Sequence, residues 1–301
     1  MIKFLYRFIA KLKNKNIKIW TIIYKFNKLM INIIYPLIHY FDKKYGLNEK
    51  SNIIISLTTF PERVNSVWIT INTLLNQKNV KPKKIILWLA EEQFPEHKLP
   101  HNLTKLISRG VEIRYCEDLK PHKKYYFAMK EFKEDIIITV DDDVFYPENF
   151  VELLLQGSNK YPNTIICNWA HKITFDNEGE FNKYNLWKNS VDELSILTVP
   201  IGCGGVLYPP NLLNKELFNI YELKKLALYT DDLWLKCMEV KNNILAININ
   251  KENIIFFNII KTQRYSLWKK NITDENRNDT AWKNLMQKYP EVYKKLKEKC
   301  E

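Results

Sequence analysis

From Asn52 to Val140 four short apolar runs alternate with segments of helical period, and no other feature of the chain limits its fold so strongly. The runs are Asn52–Leu57 (NIIISL), Lys84–Leu89 (KIILWL), Val111–Tyr115 and Asp135–Val140 (DIIITV). Helices are expected between them, over Asn65–Gln77, Leu99–Ser108 and Lys124–Phe132. Unbroken β-branched runs belong to strands buried on both faces, and strands separated by helices run parallel. The expected fold class is therefore α/β: a mixed, mostly parallel sheet flanked by helices.

Such sheets bind ligands at the carboxyl ends of their strands. The fourth strand ends directly in Asp141-Asp142-Asp143, followed by Val144-Phe145-Tyr146 and by Pro147, expected at the first position of the next helix. Three adjacent carboxylates at the mouth of a buried strand repel one another. Either their pKa values rise or a cation sits among them. A hard divalent ion takes carboxylate oxygens together with water and phosphate oxygens. An Asp-rich turn capping the helix uses one or two of these acids and leaves the third without a role.

Strand, three acids, then helix in the fourth βα unit resembles the DxD segment of GT-A-fold glycosyltransferases. The passage IITVDDDVFYPENFVELL is similar to that of family-2-like and exostosin-like members. The likeness spans Asn52 to Asp279, and only the three-acid segment is specific. It implies a GT-A-type (Rossmann-like) sheet, a nucleotide-sugar donor such as a UDP-sugar, and a Mn²⁺ or Mg²⁺ ion on the donor's diphosphate. Sugar would pass to a hydroxyl of a glycan or polyprenyl-linked acceptor. Asp141 would lie toward the ribose, and Asp142 and above all Asp143 toward the metal. Thr58, Pro61, Glu62 and Arg63, after the first strand, would hold the nucleotide, with Arg63 on a phosphate or base carbonyl; an exposed loop arginine is the plain alternative. Lys124 would meet the diphosphate or be solvated.

Three of only seven glycines fall at Gly202, Gly204 and Gly205, before Tyr229-Thr230-Asp231-Asp232. The resemblance puts Gly204 and Gly205 against the donor sugar. Thr230 and the two acids fit a capped helix start. They also resemble the family's acidic pair, with Asp232 as catalytic base and Asp231 orienting the acceptor. The motif is Asp-Asp where family-2-like enzymes have Glu-Asp, so the stereochemistry stays open. Past the last strands (Ile244–Ile249 and Asn253–Phe257), Lys261, Gln263, Arg264, Ser266, Trp268 and Lys269 form a polar segment; the resemblance implies that a basic residue there, Arg264 or Lys261, meets the leaving diphosphate. His171 reads as a core or surface histidine, and Asn278-Asp279-Thr280 as a cap for the C-terminal helices. A sugar nucleotidyltransferase is the competing enzyme, but its glycine-rich loop after the first strand is missing from SLTTFPER. A non-catalytic glycan- or metal-binding protein of the same fold is the third reading.

The net charge of +12 is uneven: residues 1–45 hold ten basic residues and one acid, against 36 and 33 in the remainder. A nucleic-acid groove would concentrate its charge on the folded body, so no nucleic-acid partner is expected. Within residues 3–32 the polar positions recur every three or four residues, opposite a wide face carrying Phe4, Phe8, Ile19, Trp20, Ile23, Phe26, Met30 and Ile34. No uncharged apolar run reaches the roughly 18 residues of a spanning helix. The expectation is a basic amphipathic helical arm over 1–48 that lies on an anionic membrane surface, or packs on protein. Residues 50–301 would form the transferase domain: a nucleotide half (50–145), an acceptor half (146–270) and C-terminal helices (271–301). Five scattered cysteines without ligand spacing fit a reducing compartment. The implied location is the cytoplasmic face of a bacterial plasma membrane.

Overall fold

The computed structural model describes residues 2, 5, 6, 8, 9, 17–189, 192–250, 256–265, 271 and 275–299. The apolar runs become the parallel strands β1 (Ile53–Thr58), β2 (Lys84–Ala90), β3 (Val111–Cys116) and β4 (Ile136–Thr139). Helices α2 (Val67–Leu75) and α3 (Lys123–Glu131) lie between strands, and the short helix expected between β2 and β3 is a single α-turn, His101–Thr104, followed by a 3-10 turn at Ile107–Arg109. Pro147 does not open a helix, because α4 spans Phe150–Lys160 with Asn149 at its N-cap position.

The second half adds β5 (Ile165–Cys167), the antiparallel three-stranded set β6 (Ala170–Lys172), β7 (Lys188–Asn189) and β8 (Thr198–Pro200), then β9 (Val206–Tyr208), α5 (Ile220–Ala227), α6 (Asp231–Lys241) and β10 (Ala246–Asn248). Helices α7 (Arg277–Lys288) and α8 (Pro290–Lys297) follow. The expected strand at Asn253–Phe257 falls largely outside the described residues. One seven-stranded sheet has the order β10-β5-β9-β4-β1-β2-β3. All its pairs are parallel except those of β9, which runs antiparallel to β4 and β5. This is the mixed, mostly parallel sheet flanked by helices that the strand pattern implied.

The reversal of β9 matters for the site. Its first residue, Val206, pairs with Thr139 at the end of β4. The glycine segment just before β9 therefore arrives beside Asp141–Asp143.

The N-terminal helix α1 (Ile17–His39) packs along one edge of this body. Ile31 and Tyr35 are buried in the same core as β1 and Phe145, as are Ile2, Tyr6 and Ile9 before the helix. The Tyr6 hydroxyl donates to Phe145 O and accepts from the Phe257 N–H, each at 2.7 Å. Tyr35 Oη donates to Asn72 Oδ1 of α2 at 3.0 Å.

Candidate active site at the carboxyl end of the sheet

A cavity of about 1100 Å³ opens where β1 and β4 end, and it gathers residues from both halves of the chain. Its walls include Thr58, Glu62, Arg63, Lys124, Asp141, Asp142, Asp143, Asp231 and Asp232. Pro61, Gly204, Gly205 and Arg264, also expected at the donor site, are not among its lining residues.

The three adjacent acids point to three different partners. Asp142 is buried and fully engaged: Thr59 Oγ1 donates to Oδ2 at 2.5 Å and Arg63 Nη1 to Oδ1 at 2.7 Å. Its backbone carbonyl accepts from Thr70 Oγ1 at 2.9 Å. These bonds tie the end of β4 to the loop after β1. Asp142 is thus a strut between loops, with one acceptor site on each oxygen already used, which leaves it less free than Asp143 for the metal-ligand role expected of both. Arg63, expected on a phosphate or base, is instead spent on Asp142 and, at 3.2 Å, on Asp143 Oδ2.

Among the described residues the side-chain contacts of Asp143 fall on Oδ2, which accepts from Gln263 Nε2 at 2.8 Å and Thr262 Oγ1 at 3.4 Å besides facing Arg63. Burial, opposed by Arg63 and reinforced by Asp142 and Asp141, pushes its carboxyl up to about 7. Asp141 is the most open of the three and accepts from Lys124 Nζ at 2.9 Å. Its N–H donates to the Tyr146 hydroxyl, which in turn donates to Cys203 O.

Lys124 is the hub of the site. Its ammonium is buried and lies 2.9 Å from both Asp141 Oδ1 and Asp231 Oδ2. Burial works against its charge, but Asp141 and Asp231 outweigh that and hold its pKa well above the usual lysine range. Asp231 shows the converse: burial opposes its charge, yet Lys124 and then His122 keep its pKa below the usual carboxylate value. Asp232 forms no ion pair among the described residues and feels Lys124 only as a weaker, opposing influence. It keeps some open surface, but burial and then the neighbouring Asp231 push its pKa well above the carboxylate range, and one oxygen accepts from the Gly202 N–H at 3.2 Å. Thr230 stands at the N-cap of α6 without a side-chain cap; its hydroxyl donates to Ala227 O instead.

Only one of the three clustered glycines meets the site. A Cβ on Gly202 would lie 2.5 Å from Lys124 Nζ and 3.2 Å from Asp141 Oδ1. Gly204 packs on Trp169, and Gly205, with φ +78°, packs on the Phe150 ring. The sugar contact expected of Gly204 and Gly205 is replaced by tight packing behind the cavity wall. On the far side of the cavity, Arg264 lies beside Tyr265 at 4.6 Å, while its neighbour Gln263 reaches Asp143. Ser266, Trp268 and Lys269 lie outside the described residues. His171 lines the cavity with Nδ1 buried and unpartnered among the described residues, and burial lowers its pKa to about 4, so it is neutral. Asp279 lies inside α7 and accepts from the Tyr184 N–H at 2.7 Å rather than capping a helix.

Thr59, Gln263 and Gly202 are the site residues that reading the sequence missed. Thr59 adjoins Thr58, Gly202 belongs to the glycine cluster and Gln263 to the polar segment, but no spacing rule separates any of them from its neighbours.

The centre therefore holds five carboxylates (Asp141, Asp142, Asp143, Asp231 and Asp232) against the two buried cations Arg63 and Lys124. Lys120 and Lys123 also line the cavity, but both pair with Asp118. Among the described residues no group of three or more His, Cys, Asp or Glu side chains is arranged to hold a metal by itself. A Mg²⁺-type ion shared with phosphates needs only one or two carboxylates. Asp143, whose Oδ1 has no hydrogen-bond partner among the described residues, is the freer of the two ligands expected, and Asp142 the more engaged.

No protein-family model matches the chain, and no curated protein sequence matches it. Among solved structures it is similar to the mannosyltransferase PcManGT from Pyrobaculum calidifontis in complex with GDP-Man and Mn²⁺, at 10% identity and a TM-score of 0.43 over 90% of this chain and 83% of the other. It is also similar to S. aureus TarS 1-349, at 13% identity and a TM-score of 0.37 over 65% and 57%. A third is CMP:2-keto-3-deoxy-manno-octonic acid synthetase complexed with CTP, at 11% identity and a TM-score of 0.36 over 65% and 87%.

Proposed function

We propose that the chain is a glycosyltransferase that moves a sugar from a nucleoside-diphosphate donor, a UDP-sugar in the first instance, to a hydroxyl of a glycan. The observation that carries this reading is the division of labour among the acids around Lys124. One carboxyl, Asp232, has no ion-pair partner among the described residues and a strongly raised pKa; another, Asp143, lines the same cavity and shares the single Arg63 cation with Asp142. A cavity of about 1100 Å³ suits a nucleotide sugar with part of an acceptor.

Asp232 is the base. As the acceptor oxygen bonds to the anomeric carbon, the bond from that carbon to the diphosphate breaks, the electron pair leaves with the nucleotide, and the acceptor's proton passes to the Asp232 carboxylate. Attack opposite the leaving diphosphate inverts the anomeric centre. The Gly202 N–H aims the carboxylate, and Asp231, kept ionised by Lys124, strengthens it as a base. Asp143 would hold a divalent cation together with the donor's diphosphate; the ion supplies charge neutralisation of the leaving group. Any cation brought near Asp141 also weakens one of the fields that raise Asp232, moving it toward a working pKa.

The test is product identity. Sugar nucleotides incubated with Mn²⁺ and the protein release nucleoside diphosphate slowly, and Asp232→Asn stops the release. Formation of pyrophosphate from a nucleoside triphosphate and a sugar phosphate would instead identify a nucleotidyltransferase.

A further inference from the structure

Helix α1 turns its core contacts inward through Ile31 and Tyr35, yet its outer face is no less apolar. Ile22, Phe26, Leu29, Ile33 and Leu37 follow one another at steps of three or four, and Phe41 continues the row past the helix end. These six side chains are 69, 60, 50, 50, 70 and 79% exposed. Scattered surface apolar residues are ordinary, but a continuous row of this size marks an interaction surface.

Charge selects its partner. Exposed Lys25 flanks the row, and Lys43 and Lys44 stand exposed just beyond it. Helix α1 contains no acid, and the nearby Asp42 is engaged by His39 and Asn76. Lys105 of the body joins the same end, its ammonium 3.5 Å from the centre of the Tyr40 ring. A second copy of the chain would bring these lysines against their own kind. Anionic lipid headgroups satisfy them while the row enters the acyl boundary. No described helix is long and apolar enough to cross a membrane, so α1 would lie in the plane of the interface.

We propose that this outer face of α1 seats the protein on an anionic lipid surface. A flank of the same helix, one face round from the row, is bonded to the loop that holds Asp143. Asn32 Nδ2 donates to Asn258 O at 3.1 Å, and Asn32 Oδ1 accepts from the Ile260 N–H at 2.9 Å. Within the same loop the Ile259 N–H donates to Asp143 O at 2.7 Å. The lipid-bound helix thus carries one rim of the cavity directly, which suits an acceptor held at the membrane surface. The wide face expected from the sequence is divided: Trp20 and Ile23 pack against the core, while Ile19 and Phe26 stay exposed, Phe26 within this row.

The experiment is co-sedimentation of the full-length protein with phosphatidylcholine vesicles, with and without phosphatidylglycerol. Binding is expected only with the anionic lipid. Lys25→Glu should weaken it roughly tenfold or more at low salt, and Phe26→Ser with Ile33→Ser should remove it. Both variants alter exposed residues and should keep their melting temperature and their nucleotide binding in solution. Wild-type protein that stays in the supernatant with anionic vesicles overturns the proposal. So does a wild-type dimer, seen by light scattering, that Phe26→Ser converts to monomer. Nucleotide binding is read separately, so a failed donor assay leaves the lipid result standing, and the reverse holds as well.

Discussion

Lys124 Nζ lies 2.9 Å from Asp231 Oδ2, joining the first turn of α3 to the first turn of α6 across the cavity. The ammonium is shared with Asp141, so one buried cation holds the end of β4 and the start of α6 in register. Most of what distinguishes Asp231 from Asp232 follows from this contact, with His122 adding to it. The first acid has the lysine, and the second has the first acid as its neighbour.

Lys124→Met should destabilise the fold by about 3–5 kcal/mol, the usual cost of leaving buried charges unpaired. The denaturant midpoint reads this directly. A loss within experimental error would mean that Asp141 and Asp231 are solvated rather than held.

Asp232→Asn should lower the transfer rate by about 10²–10⁴-fold, with donor affinity little changed, as measured by steady-state kinetics and calorimetry. Asp231→Asn tests the same assignment through pH. Activity requires ionised Asp232, whose pKa is raised by burial and then by Asp231. Removing that neighbouring charge lowers the pKa, so the acid limb of the rate profile should move to lower pH. An unmoved limb would deny Asp232 the role of base.

Asp143→Asn should stabilise the ligand-free protein at alkaline pH. The folded pKa near 7 stands above the ordinary 3.8. Between those values the folded state binds more protons than the unfolded one, so stability falls as pH rises through this window. The gain in Tm should therefore be larger at pH 8 than at pH 4, while Mn²⁺-dependent nucleotide binding is lost. Equal gains at both pH values would show that the carboxyl is not perturbed.

Two glycines separate activity from stability. Gly205→Ala places a Cβ against Phe150 at positive φ and should cost about 1–3 kcal/mol or more in stability. Gly202→Ala meets the flexible end of Lys124, so the fold should tolerate it while Lys124 shifts and activity falls. Thermal melts and transfer rates on the two variants check the contrast.

Tyr6→Phe leaves Phe145 O and the Phe257 N–H, both buried by the arm, without their partner. A loss of about 1–3 kcal/mol is expected for each buried group so orphaned. Chemical denaturation would detect it. No change would show that the segment before α1 does not hold the turn after Asp143.

The strands of the first half were legible because unbroken aliphatic runs and their turns are local patterns, and those patterns alone put Asp141–Asp143 at a strand's carboxyl end. Nothing local distinguishes Asp142 from Asp143. Arg63 and Thr59 claim Asp142 only after β1 and β4 pair. Likewise three residues, Val206–Tyr208, carry no signal of direction, yet their antiparallel pairing decides that Gly202 meets Lys124 while Gly204 and Gly205 pack behind it. Periodicity made α1 a helix but could not say which apolar face meets the core. Spacing along a chain encodes what neighbouring residues do together; partners distant in sequence are chosen by the order and direction of strands in the sheet, a property of the whole packed chain.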